Sequence, residues 1–475
     1  MPCNVAVVGA GLVGCLQACY LANRGHNVVI FDKREDLRKI SVGAAGRSIN
    51  LALSHRGRSS LRRAGLEDAV LGAGVPVYGR MVHSIDGKQT AMPYGVLPDQ
   101  FNYAIDRRRL NCLLLDTIEQ KGVTICFQHC LTSASFSDDR VTLMFVNAQR
   151  EEITNDEFDF VFACDGAHSA LRARIIETSC TNFEMKYIEH GYRELMIAPT
   201  PEGKPALEYN YLHLWARGNF MFMGLPNPDN SFTGTLFMPM KMFDSIQNAD
   251  QLIEFFESNF PDAMDLVGGR SGLLEQYKVT KSRPGKLPCV RVSPHHCADG
   301  RVLLMGDAAH AMVPFYAQGM NCGFEDCEVL DEAIDAELER SGENSVTKDV
   351  MRNAIVNYSN RRVIDCKAIC DLAEYNYIEM RHLVNVWWYR WRKSFDYTLY
   401  RLLGASGGWV PLYISVSYTR MPYDACRRHR AWQDAILHRV RMGLMVAAGA
   451  VVAGYLYRPI VKNLQIRWGA IRIFN

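Results

Sequence analysis

The chain has no pair of cysteines at C-x-x-C spacing and no tetrad with zinc spacing, although it holds 15 cysteines in 475 residues. Scattered singly, they exclude a disulfide scaffold and a zinc module, and they suit a reducing compartment. Cys15 and Cys19, like Cys366 and Cys370, stand four apart on predicted helices, where small buried thiols are expected. His295-His296-Cys297 groups metal-ligand types, but adjacent side chains diverge on a strand or turn. It reads as structural, and no metal is expected. Charge of one sign is also lacking. Net charge is +2, and no basic stripe interleaved with aromatics runs through the body of the chain. That excludes a polyelectrolyte partner and makes nucleic acid a poor fit. There is no internal repeat and no low-complexity linker. The run Val5 to Val8 has no basic segment before it and a glycine turn directly after it, so it reads as a strand and not as a secretory leader.

What is present begins with that strand. A chain of this length is too long for one simple core and suits two interleaved domains. Asn4 to Val8 is a predicted buried strand, Leu16 to Asn23 a helix ending at Gly25, and Val28 to Phe31 a second strand closing on Asp32. Between strand and helix lies Gly9-Ala10-Gly11-Leu12-Val13-Gly14. Gly9 allows the tight turn, Gly11 lets backbone approach a phosphate, and Gly14 lets helix and strand pack closely. The helix N-terminus then offers N–H groups and a positive dipole end to a pyrophosphate. Asp32 stands 23 residues after Gly9, where a carboxylate accepts from ribose hydroxyls. With both strands and the acid in place, the unit predicts a dinucleotide site. No second glycine turn offers another.

Asp106 to Lys121 is predicted helical, and Phe158 to Ala163 is a strand that ends at Asp165-Gly166, with Ser169 and Arg172 beyond. Residues 180–290 are rich in Tyr, Phe, Met, Pro and Asn. Short extended runs there (Tyr209 to Trp215, Phe220 to Leu225, Phe232 to Met238) predict an antiparallel sheet. Arg301 to Met305 returns to a buried strand, and 322–340 and 350–385 are predicted helical. Almost three hundred residues after the glycine turn comes Gly306-Asp307-Ala308-Ala309-His310, followed by Pro314 and by Gln318-Gly319-Met320-Asn321.

The glycine turn, Asp165-Gly166 with Ser169 and Arg172, and Gly306-Asp307 with its tail occur in this order in the flavoprotein aromatic hydroxylases, and the chain resembles that family over nearly its whole length. The resemblance implies an α/β fold: an FAD-binding Rossmann-like domain of the glutathione-reductase type, interleaved with an antiparallel-sheet substrate domain, plus C-terminal helices and a membrane tail. The expected boundaries are 1–70, 101–179 and 291–365 for FAD binding, 71–100 and 180–290 for substrate, 366–440 for the helices and 442–458 for the tail. It assigns Gly9, Gly11, Gly14, Asp32, Arg107, Leu131, Asp165, Arg172, Gly306, Asp307, Gly319, Met320 and Asn321 to cofactor binding. Asp307 would accept from the ribityl hydroxyls, with a helix cap as the compatible structural role. Gly319 to Asn321 would open a helix whose positive end faces the flavin ring and stabilises its anionic reduced form. A solvated helix face is the alternative for Arg107 and a surface ion pair for Arg172. One departure stands out: the family usually has glycine where this chain has Ala317, whose methyl would crowd the flavin ring or demand an altered turn.

The resemblance extends to Arg80-Met81-Val82-His83-Ser84, Pro93-Tyr94-Gly95, Tyr375 to Arg381 and Pro411-Leu412-Tyr413. These imply a substrate with an amino-acid head and an aniline ring. Arg80 would read the carboxylate as a planar fork, helped by Tyr94, Asn376 and Tyr413, while Phe315 and Tyr316 line the ring pocket. Surface charge is the alternative for the arginine and packing for the aromatics. NADPH would bind transiently to reduce the flavin. O2 would be captured as a flavin C4a-hydroperoxide whose distal oxygen attacks the ring carbon ortho to the amine. That amine already activates the ring, so no protein base is required and no catalytic side chain is assigned. Two alternatives stay open: a related monooxygenase acting on another activated aromatic or a lipid, and a non-catalytic binding protein of the same fold.

Met442 to Tyr457 is uncharged and mostly apolar, shorter than the roughly 20 residues that span a bilayer comfortably. Arg458, Lys462, Arg467 and Arg472 follow with no acidic residue. Its glycines and alanines pack poorly in a soluble core and suit close helix contact in lipid, so a tail anchor is expected rather than a buried helix. Such a tail also fits animal members of the family that sit on the mitochondrial outer membrane, catalytic domain toward the cytosol. From Arg381 to Arg441 basic residues outnumber acids, and Trp387, Trp388, Trp391 and Trp409 lie among them. That pattern suits an anionic membrane surface or, alternatively, a solvated helical face.

Overall fold

Val5, Ala6 and Val7 are fully buried because Asn4–Val8 is a central strand of a parallel sheet. The computed structural model describes residues 2–40, 50–137, 140–277 and 283–471. Among these, a six-stranded sheet runs in the order His296–Cys297, Val302–Leu304, Phe160–Ala163, Asn4–Val8, Asn27–Asp32, Thr124–Phe127. The pairings are parallel except at the His296–Cys297 edge. Inner parallel strands are covered on both faces, which is why Phe160–Ala163 and Val302–Leu304 are uninterrupted apolar runs.

The first helix spans Leu12–Asn23, four residues earlier than the expected start at Leu16, because the glycine turn feeds it directly. The helix Arg107–Gln120 is capped by Asp106, which accepts from the Arg109 amide at 2.6 Å.

The second large sheet has seven strands, in the order Gly285–Ser293, Asn182–Ile197, Phe232–Pro239, Met221–Pro226, Tyr211–Ala216, Gly79–His83, Gln89–Pro93. The three expected extended runs pair antiparallel. The sheet as a whole is mixed, however: Tyr211–Ala216 lies parallel to Gly79–His83, a strand reached by a long crossover and not by a hairpin. Its apolar face packs on a cluster that includes Trp215, Phe222, Phe256 and Phe260.

Helices Gly319–Ser341 and Lys348–Arg381 pack against each other behind the six-stranded sheet's core. The first begins at Gly319 rather than 322; the second ends at Arg381, followed by a short 3-10 turn at Leu383–Asn385. Two further helices, Trp387–Leu403 and Leu412–Tyr418, complete a compact unit, Met1–Asp424. The described part of the second unit, from Ala425 to Ile471, belongs to the helix Tyr423–Ile471. Its stretch Tyr423–Ala453 is long and apolar enough to cross a membrane and has none of its most apolar window buried. The expected tail 442–458 is helical throughout; Arg472 lies outside the described residues.

Candidate cofactor and substrate sites

The two distant glycine motifs meet at Val13. A Cβ on Gly306 would lie 3.0 Å from Val13 Cγ2, and one on Gly323 only 2.5 Å from it. Gly306 also takes a positive φ of 56° and donates its amide to Asp326 at 3.0 Å. Gly9 has φ 107°, and a Cβ there would lie 2.4 Å from the Cys164 carbonyl oxygen. On Gly14 a Cβ would lie 1.9 Å from the Gly9 carbonyl oxygen, so close helix–strand packing requires its absence. Gly11 differs: a Cβ there meets nothing within 4 Å. No side chain caps the helix it opens, so the space over the first turn stays open for a phosphate.

Asp32 accepts from the Ala10 amide at 2.9 Å and is gripped by Arg34. Burial alone would raise this carboxyl; the Arg34 fork and the two amides outweigh burial and hold it below the ordinary carboxylate range. A cavity of about 210 Å³ opens beside it, lined by Ala10, Asp32, Arg34, Asn111, Leu115 and Phe127 among others. A ribose at this carboxylate would share it with Arg34. These features fit a dinucleotide.

The other expected cofactor residues divide by what they offer. Arg172 is buried and donates to the carbonyls of Ala308, at 2.9 Å, and Ala167, at 2.6 Å, so it ties the Asp165 loop to the Asp307 turn. Ser169 caps the helix Ala170–Thr178, Asp165 accepts from its first-turn amides of Ala170 and Leu171, and burial raises the Asp165 carboxyl. Asp307 is the exposed residue of an otherwise buried Gly306–His310 run. Gly306 takes the cap position, so Asp307 is not the cap. Arg107 is exposed in the first turn of its helix, with Tyr192 within electrostatic reach. Leu131 lies in an apolar cluster with Phe31 and Phe145 and offers a ligand only main-chain atoms.

Met320 is buried beside Gly319 at the helix start. The Asn321 side chain is committed elsewhere: it accepts from the Ser54 amide at 2.8 Å and donates to the carbonyls of Ala52 and Ala317. Its contribution to a flavin would be through backbone and helix dipole. Ala317 sits in the left-handed region, φ 54°, ψ 32°. A Cβ costs about 1 kcal/mol there, so glycine would suit the turn better.

The expected substrate residues also converge. Arg80 is buried and lies 5.8 Å from the Tyr94 ring centroid and 5.4 Å from that of Tyr413. The two tyrosine rings stack at 5.0 Å. Arg80 pairs with Glu379 at 2.9 Å, one helical turn beyond Asn376 on Lys348–Arg381. The Asn376 amide donates to the Phe315 carbonyl at 2.7 Å, and the Phe315 ring stacks on Tyr377 at 3.8 Å. Tyr316 stacks on Tyr413 at 5.7 Å. Arg80 Nε and Asn376 Oδ1 are buried without a hydrogen-bond partner, as polar atoms awaiting a ligand would be.

Sequence reasoning missed Glu379, whose signal was its spacing of three from Asn376. It also missed Lys393, whose ammonium lies 3.9 Å from Glu379. Burial would raise the Glu379 carboxyl, but Lys393 and Arg80 hold it low. Burial pushes Lys393 down to about 8.

His310, Cys322, Asp326 and Cys366 bring ligand-type atoms within 4.8 Å of one another, a grouping the sequence did not suggest. His310 lies 2.6 Å from Asp326, and Arg362 donates to Asp326 at 2.8 Å and to Cys322 Sγ at 3.2 Å. A guanidinium in the same cluster opposes a divalent cation, so this is a buried ion network bracing the helix behind the Gly306 turn. His295 is buried with its main-chain amide on Ser359.

Residues 2–349 match the family model described as an FAD binding domain. The chain is 44% identical over 463 residues to kynurenine 3-monooxygenase of Anopheles gambiae, covering 97% of this chain and 91% of that protein. It is 37% identical over 477 residues to kynurenine 3-monooxygenase of Sus scrofa, covering 99% and 97%. The fold resembles the crystal structure of p-nitrophenol 4-monooxygenase from Pseudomonas putida, with TM-score 0.63, 17% identity, and coverage of 91% of this chain and 98% of that one. With its glycine motifs meeting at Val13 and near full-length identity to these relatives, the chain belongs to the FAD-dependent kynurenine 3-monooxygenase family.

Proposed function

We propose that the chain hydroxylates L-kynurenine to 3-hydroxy-L-kynurenine in tryptophan catabolism, using NADPH and O2. The observation that carries the substrate is the buried Arg80–Glu379 pair beneath the stacked Tyr94 and Tyr413 rings. A zwitterionic amino-acid head suits a site that presents one guanidinium and one carboxylate together. Phe315, Tyr377 and Phe237 supply apolar faces for an aniline ring. Bound FAD would supply hydride acceptance and oxygen activation. The chain's own residues orient the ring, exclude water and hold charge. Gly9, Gly11 and Gly14 with Asp32 would hold the adenosine end and pyrophosphate. Gly306, Asp307 and the Gly319–Asn321 helix start would hold the ribityl chain and ring, with Arg107, Leu131, Asp165 and Arg172 at the margins. The six-stranded sheet then serves as the cofactor half and the seven-stranded sheet as the substrate half. A panel tests the head-group reading: L-kynurenine should support turnover, and an aminophenyl ketone without the amino-acid head should show a strongly raised KM with a much smaller change in kcat.

We further infer that the C-terminal helix anchors the protein on the mitochondrial outer membrane, with the residues before it in the cytosol. One exposed apolar helix of sufficient length supports an anchor. Alkaline carbonate extraction of isolated mitochondria tests it; protein released to the supernatant would contradict it.

A further inference from the structure

The helix Trp387–Leu403 has two faces of opposite character. At 100° per residue, Trp387, Trp388, Trp391, Phe395 and Leu402 fall within about 100° of one another. Trp387, Trp391 and Leu402 are 79%, 64% and 75% exposed, and Trp388 is 52% exposed. Trp391 and Phe395 stack at 5.6 Å, making a continuous aromatic surface. Arg390 and Arg401, both exposed, flank this stripe.

The opposite side faces the candidate substrate site. Lys393 approaches Glu379 at 3.9 Å, the Tyr397 hydroxyl donates to the Tyr94 carbonyl at 2.7 Å, and Tyr400 accepts from Gln100 at 3.2 Å. Tyr389 and Asp396 are buried on the same side. One helix thus forms a wall of the substrate-head site and displays three tryptophans outward.

We propose that this helix lies flat in the headgroup region of an anionic phospholipid bilayer, with Trp387, Trp388 and Trp391 immersed, and that lipid contact steadies the substrate site behind it. Three observations favour lipid as the occupant. Tryptophan prefers the depth between headgroup and acyl chain. Arginines on the flank complement anionic headgroups. The same chain carries an apolar helix long enough to enter a bilayer. The inference rests on the anchoring reading above.

The test uses the full chain reconstituted in phosphatidylcholine–phosphatidylserine vesicles, made with or without brominated acyl chains. Vesicle flotation reports anchoring; quenching of tryptophan emission by bromine reports depth. The wild-type chain should float and be quenched. The triple variant Trp387→Phe, Trp388→Phe, Trp391→Phe should float equally and lose about twofold or more of its quenched component, because it keeps only the tryptophans outside the stripe. Equal quenching in the floating wild-type and variant chains, or a floating wild-type chain left unquenched, overturns the inference while anchoring stands; in the second case another surface, a second copy foremost, covers the stripe. Failure to float overturns both. A second variant, Trp387→Ser, Trp388→Ser, Trp391→Ser, should raise the substrate KM in vesicles with kcat and FAD content unchanged. An unchanged KM overturns the coupling and leaves the docking to the quenching result.

Discussion

Arg80 and Glu379 form a 2.9 Å ion pair, both buried, although they lie almost three hundred residues apart on a strand and a helix. Such a pair is costly to bury, and removing one partner strands the other. Arg80→Ala should raise the substrate KM sharply with FAD retained. It should also lower stability, because Glu379 loses its closest cation and keeps only Lys393 at 3.9 Å. Arg80→Lys keeps the charge but not the planar fork, so it should keep most of the stability and still raise KM. Steady-state kinetics, flavin absorbance and chemical denaturation separate these effects; unchanged KM with lost flavin would sink the role given to Arg80.

Gly11 and Gly14 should respond oppositely to alanine. Gly14→Ala places a Cβ 1.9 Å from the Gly9 carbonyl oxygen and should give little folded protein. Gly11→Ala meets no protein atom within 4 Å, so it should fold with an unchanged melting temperature as the apo-protein. Its methyl would occupy the phosphate space, so FAD affinity should fall by roughly tenfold or more. Titration of apo-protein with FAD, followed by flavin fluorescence, checks this.

The substrate KM should depend on Lys393. Lys393 has its pKa pushed down to about 8 by burial. Below that pH, Arg80 and Lys393 together face one carboxylate, Glu379, leaving the site with a net positive charge that attracts a substrate carboxylate. As pH rises through about 8 the ammonium loses its proton, the site becomes neutral and KM should rise, by roughly tenfold if about 1.4 kcal/mol of attraction is lost. In Lys393→Met the KM should already be high at pH 7, and this rise near pH 8 should vanish. A KM–pH profile identical in wild type and variant would contradict the assignment.

Ala317→Gly should stabilise the protein by about 1 kcal/mol, because the left-handed backbone at φ 54° penalises a Cβ. Thermal melts of the two holo-proteins report it, and a lower melting temperature for the glycine variant would contradict the strain.

The glycine turn, its flanking strands and Asp32 were legible in the sequence because tight turns and buried parallel strands leave local marks. The segments carrying Arg80, Tyr94, Asn376 and Tyr413 were picked out by resemblance; the structure brings the Arg80, Tyr94 and Tyr413 side chains together, while Asn376 bonds the Phe315 carbonyl, and their role in binding substrate is our proposal. Lys393 was not legible, and Glu379 only through its spacing of three from Asn376. Each sits on a helix whose facing is decided by packing, and a charged residue on a helix looks solvated until its partner is known. The parallel pairing of Gly79–His83 with Tyr211–Ala216 was hidden for a similar reason: strand patterning does not specify a distant neighbour. The meeting of Val13 with Gly306 and Gly323 is likewise a tertiary event, seen only when the first helix docks on the second motif.

The central claim is tested most directly by NADPH oxidation. The full chain, purified in mild detergent, would be followed with and without L-kynurenine, and the product identified by mass. The account predicts a yellow protein whose NADPH oxidation is stimulated by L-kynurenine, with one oxygen atom added to the aromatic ring. A yellow protein that L-kynurenine does not stimulate, or one that consumes NADPH without hydroxylating it, would contradict the account.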